Sequence, residues 1–129
     1  MSTKDSGKSR ARRQGPRSQK KAERYMQPSL LMALKAKPSY GYELIQEIPR
    51  FGFIEGHAPP GMIYRHLRDL EENGLVASQW ETAGSGPAKR IYELTEEGDA
   101  VLAYWVDYMD AQAQRLNAFV RAFRASAPP

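Results

Sequence analysis

Gly61, Tyr64, Arg65 and Arg68 stand on one side of a single helical pattern, and together they could do the chemistry of a nucleic-acid groove. Arginine presents paired donors that fit a guanine edge or a phosphate, and a tyrosine hydroxyl can bond a phosphate oxygen. A glycine near a helix N-terminus lets an anion approach the backbone closely. The pattern is set by Ile63, Leu67 and Leu70, which fall within about 60° of one another on a helical wheel and mark the side that packs. The other residues cluster opposite, within about 100° of each other. A helix built only to pack gains little from such an outer face. The competing reading is a solvated face held by i,i+4 pairs, Arg65 with Asp69 and Arg68 with Glu72. His66, at the edge of the packing side, reads as a boundary residue and not as a ligand.

The elements around this helix must aim it. It runs from Pro60 to Asn73 and is closed by Gly74. A strand, residues 75–82, then leads to a glycine-rich tip, residues 83–88, and a return strand, residues 89–94. Alternation marks Trp80, Tyr92 and Leu94 for the core and sets Lys89 and Arg90 beside the tip, where they would meet phosphates. Gly84-Ser-Gly86 is not followed by Lys-Ser or Lys-Thr, so it is no nucleotide loop. Upstream, Pro28 suits the first turn of a short helix lined by Leu30, Leu31 and Leu34 and ended by Pro38. Ser39 is placed to cap a second helix with Gly41, Leu44, Ile45 and Ile48 facing inward. Residues 49–59 read as loop, with a short strand at 51–54 as an option. The order gives an α+β chain, mainly α: a winged helix-turn-helix unit over residues 26–95, with a long C-terminal helix over 96–126.

Length, 129 residues, suits one domain plus appendages. Cysteine is absent and the histidines are only His57 and His66, which argues against disulfides and against a metal site. No apolar run approaches the roughly 20 residues that span a bilayer, and signal-peptide architecture is missing. A soluble cytoplasmic protein without membrane partner or cofactor is the expectation. Catalysis is disfavoured as well, for want of paired carboxylates beside a nucleophile. The net charge is +4, but nine cations against Asp5 and Glu23 leave +7 on residues 1–24 and −3 on the rest. That segment is poor in large apolar residues, so residues 1–25 are expected to form a disordered basic arm, either a solvated tail or a phosphate-binding one.

Thr95 caps the last helix, and Glu96, Glu97 and Asp99 complement the dipole of its first turn. Leu102, Val106, Met109, Ala113, Leu116, Val120 and Phe123 recur at alternating steps of about four and three, a coiled-coil-like seam roughly 30 Å long. Trp105 and Phe119 widen it, and Val101, Tyr104 and Tyr108 add a second stripe in the first half only. Such a helix reads as wedged first between its own domain and a partner, then touching the partner alone. Packing within one chain is the alternative.

These residues resemble the PadR family of bacterial transcriptional repressors. Ser39-Tyr-Gly-Tyr-Glu-Leu-Ile45 is similar to its Gly-Tyr-Glu-Leu segment, and Pro60-Gly-Met-Ile-Tyr64 to the start of its recognition helix. Leu67-Arg-Asp-Leu-Glu-Glu-Asn-Gly-Leu-Val76 and the stretch from Ser85 to Gly98 resemble the helix-to-strand passage and the wing. Met62 and Arg65 depart from the pattern, at positions where a small hydroxyl residue and a proline are common. The resemblance implies a homodimeric repressor of double-stranded operator DNA. Ser39 and Tyr42 would help with backbone phosphates, and Gly61, Tyr64, Lys89 and Arg90 would complete the contact. It also implies the shorter architecture, in which some relatives hold flat aromatic compounds between tryptophans at the dimer interface. Trp105 is then either an effector-binding or a structural tryptophan. The rival class is a winged helix used as a protein-interaction module without sequence-specific DNA binding.

Overall fold

The computed structural model describes residues 23–53, 56, 58–82, 84, 86–126 and 128. The expected disordered arm lies outside the described residues except for its last three, and those are helical. Helix α1 covers residues 23–36 and buries Met26, Leu30, Leu31, Ala33 and Leu34. Pro28 is therefore not in a first turn starting nearby but well inside the helix, where its missing amide leaves the Arg24 carbonyl without its usual donor. Tertiary partners of Glu23, Arg24 and Tyr25 hold that turn against the penalty, as packing commonly overrides local preference.

Strand β1 is only Ser39–Tyr40 and runs straight into helix α2, Gly41–Glu47. Ser39 is not the cap of α2. It pairs with Tyr92 in the sheet, and its buried hydroxyl donates to the Lys37 carbonyl at 3.1 Å. Tyr40 takes the N-cap position, and its amide donates to the Glu43 carboxylate at 2.9 Å. A 3-10 turn, Ile48–Phe51, follows in place of the optional strand, and Ile54 lies outside the described residues, as does His57.

Helix α3, Pro60–Glu72, buries Met62, Ile63, His66, Leu67 and Leu70. It ends in a Schellman motif: Gly74 takes φ 77°, its amide reaches the Glu71 carbonyl at 3.0 Å, and the Leu75 amide reaches Leu70 at 2.9 Å. Strands β2 (Val76–Glu81) and β3 (Lys89–Leu94) form the hairpin, and the antiparallel sheet has the order β1-β3-β2. The core joins α1, α2, α3 and the sheet through Leu44, Ile48, Val76 and Tyr92.

Helix α4, Glu96–Ala125, is capped as its sequence implies, Thr95 accepting from the Gly98 amide at 3.0 Å. Gly98 is seated against the Leu75 carbonyl, leaving no room for a side chain there. Burial then falls along the helix. Leu102 is buried and Val101, Trp105 and Met109 are half-buried, whereas Leu116, Phe119 and Phe123 are 68%, 76% and 73% exposed. No helix among the described residues is long and apolar enough to cross a membrane. Nor does any group of three or more metal-ligating side chains occur among them.

Candidate nucleic-acid interface

The outer face of α3 is built as its periodicity requires: Gly61, Tyr64, Arg65 and Arg68 are all exposed. Beside its first half the sheet and the N-terminus of α2 close a groove of about 360 Å³. Tyr42, Tyr64, Lys89 and Arg90 meet there, joined by Tyr40, Gly41, Trp80 and Tyr92. Tyr40 and Tyr42 stack in parallel, with ring centroids 5.6 Å apart, and the Lys89 ammonium lies 5.7 and 5.8 Å from the two. Tyr42 is half exposed, so a cation and a hydroxyl face outward from the same stack. The Tyr40 hydroxyl instead donates to the Glu81 carboxylate, and that bond, with lesser desolvation, pushes its pKa up.

Arg90 is not a free wing cation. Its Nε donates to Ser78 Oγ at 2.7 Å and its Nη2 to Glu71 at 3.2 Å, while Ser78 Oγ also bonds Glu71 at 2.7 Å. The guanidinium sits 5.4 Å from the Trp80 ring and 5.9 Å from that of Tyr92. Burial raises the Tyr92 pKa first of all; Arg90 opposes the shift and Glu71 adds to it.

Trp80 corrects an expectation. It shares the sheet face of Val76 and Tyr92, yet it is 61% exposed, because the inner end of β2 covers the core and the outer end runs past it. Alternation gives a side of the sheet but not the point along the strand at which its cover stops. Tyr40 and Gly41 join the site without having been marked for it by their sequence pattern. The Tyr-Gly-Tyr run itself was the available signal, since glycine between aromatics permits close packing.

The i,i+4 pairs are not what holds the arginines. Arg65 is paired with Glu23 of α1, and Arg68 has no ion-pair partner among the described residues. His66 is buried, more so than a boundary residue. Its Nδ1 lies 3.4 Å from Gln27 Nε2, and its Nε2 has no hydrogen bond, with Glu23 at 3.4 Å.

Trp105 lines a separate cavity of about 510 Å³ with Arg24, Ala100, Val101, Tyr104 and Tyr108. Its ring meets Tyr108 and Tyr25 edge-on at 5.9 and 6.2 Å, and Tyr25 stacks on Phe53 at 4.5 Å. Of the proposed seam, Leu102 belongs to the chain's own core. Val106, Leu116, Val120 and Phe123 are exposed, and Met109 is half-buried between them.

Known proteins share this sequence pattern and fold. The sequence pattern of the transcriptional regulator PadR-like family matches residues 30–104. A probable transcriptional regulator of Mycobacterium tuberculosis is 32% identical over 78 residues, 60% of this chain but only 41% of that protein. A PadR family regulator of Clostridium difficile superposes with a TM-score of 0.66 at 26% identity, over 74% of this chain and 98% of that one. The Bacillus subtilis PadR, solved in complex with operator DNA, shares the fold at a TM-score of 0.55 and 23% identity, over 62% of this chain and 46% of that one. The chain has a winged-helix fold and belongs to the transcriptional regulator PadR-like family.

Proposed function

We propose that the chain is a homodimeric repressor that reads operator DNA with the outer face of α3 and is released by a small aromatic effector. The observation that carries the reading is the groove in which Tyr42, Tyr64 and Lys89 converge beside the exposed arginines of α3. Arg68, Arg65 and Gly61 face the base edges, Tyr42 and Lys89 hold phosphates, and Tyr64 joins the two sets. The DNA complex of the Bacillus subtilis relative supports this use of the fold. The exposed half of α4 supports a second copy as its cover, so that two α3 helices meet half-sites about one helical turn apart. The cavity beside Trp105 is offered as the effector site, since aromatic walls with one polar end suit a flat ligand. On this reading the protein acts on the chromosome, in the cytoplasm.

Selection of duplexes from a random pool by the purified protein tests the reading. Enrichment of one sequence with two related half-sites is the expected result. Retention of DNA without sequence preference, or of none, would instead support the protein-interaction module.

A further inference from the structure

Glu23 occupies the hand that Arg65 would offer to DNA. The carboxylate of Glu23 is in contact with the Arg65 guanidinium, and the same oxygen lies 3.4 Å from His66 Nε2, a buried nitrogen without a hydrogen bond. One side chain of α1 thus faces two consecutive residues of α3. The next two residues are held by other partners. Arg24 donates to the Tyr108 hydroxyl and lies 5.8 Å from that ring, and Tyr25 packs between Phe53 and Trp105. Glu23 is therefore not a free surface acid that happens to find a cation. Its helical turn is fastened to α4, and the fastening sets where its carboxylate sits.

We propose that Glu23 is an affinity-lowering clasp that competes with DNA for Arg65. Three physical points carry it. A guanidinium bonded to a carboxylate has fewer donors to give to a base edge or phosphate. A carboxylate at the edge of the reading helix also repels the phosphates of a bound duplex. Arg68 has no such partner among the described residues, so the two arginines of one face enter binding from different states. Arg68 is ready, whereas Arg65 must first exchange Glu23 for DNA. Only a site that gives Arg65 a better partner than Glu23 repays the exchange. The clasp thereby lowers affinity for every duplex that Arg65 would meet. It rests on the DNA-reading assignment of α3.

A double-mutant cycle on the full chain tests it, using one labelled duplex recovered from a random pool by the wild type. Glu23→Gln should bind about two- to fivefold more tightly, with the same preferred sequence. In the Arg65→Ala background most of that gain should vanish. Glu23→Ala should give the same gain without a side chain able to hydrogen-bond. No gain, or an equal gain with and without Arg65, would overturn the clasp, the latter showing mere removal of a repelling charge. Failure of the wild type to retain any duplex would instead sink the DNA-reading assignment of α3, and the clasp with it.

Discussion

Tyr64 fills the space above Gly41: a Cβ on that glycine would lie 2.5 Å from the tyrosine hydroxyl oxygen and 2.6–2.8 Å from its ring edge. The first residue of α2 is thus the floor for a side chain of α3, and the two helices set each other's approach at the groove. Gly41→Ala should either displace Tyr64 or strain the helix contact, with about 1–3 kcal/mol lost on urea unfolding. Tyr64→Ala in the same chain should restore most of that stability while DNA affinity stays low. Unchanged unfolding of Gly41→Ala would show that the tyrosine moves aside freely.

Arg68, Lys89 and Arg90 should separate on DNA in a way their shared charge does not suggest. Arg68→Ala is expected to cost about 1–3 kcal/mol and to relax preference at one position per half-site. Lys89→Ala should weaken all duplexes alike and reduce the salt slope by about one unit. Arg90, held by Glu71 and Ser78, should behave differently: Arg90→Ala frees Trp80 and lowers thermal stability more than it alters the slope. Titrations at several salt concentrations, with melts of each variant, check all three.

Local period and end signals made most of this fold legible in the sequence. The buried line Ile63, Leu67, Leu70, the closure at Gly74 and the Thr95 cap all follow from local rules, and all stand where those rules put them. What was not legible depended on residues distant in the chain. Ser39 is drawn into the sheet by Tyr92, and Arg65 is turned by a carboxylate 42 residues away. Arg90 is claimed by Glu71 of α3. A strand of two residues has no period to detect, and ion pairs of this kind leave no spacing in the sequence.

Tyr92 should make the domain sensitive to alkali. Burial raises its folded-state pKa above the ordinary 10.0, so the folded state holds the proton more tightly than the unfolded chain. Its contribution is present in full below about pH 10 and is lost as pH rises through the folded value. Stability measured by urea unfolding should therefore fall above pH 10, and Tyr92→Phe should flatten that decline. Parallel pH profiles for the two proteins would remove the tyrosine from the account.

The basic segment should be cut before Glu23, since Glu23 and Arg24 belong to the folded domain. Residues 1–22 hold eight cations and Asp5, so deleting them removes +7 and leaves −3 on the remainder. Affinity should drop strongly at low salt and little at high salt, with the preferred sequence unchanged. Equal binding with and without the segment at every salt concentration would reduce it to a tail. Deletion through residue 24 should differ, because it also removes the clasp from Arg65.

Leu102 and Leu116 lie on the same seam but should fail in opposite ways. Leu102 is 4% exposed within its own domain, whereas Leu116 is 68% exposed with nothing of the described chain above it. A carboxylate at position 102 would be buried without a partner, so Leu102→Glu should unfold the domain itself and not merely dissociate a dimer. Leu116→Glu puts the same charge where only a partner would bury it, and should give a folded, soluble monomer. Circular dichroism melts and light scattering at tens of micromolar separate the outcomes. DNA affinity of Leu116→Glu should fall steeply, since each monomer then holds one half-site. A wild type that scatters as a monomer, or a Leu116→Glu chain that remains dimeric, would move the interface away from the second half of α4.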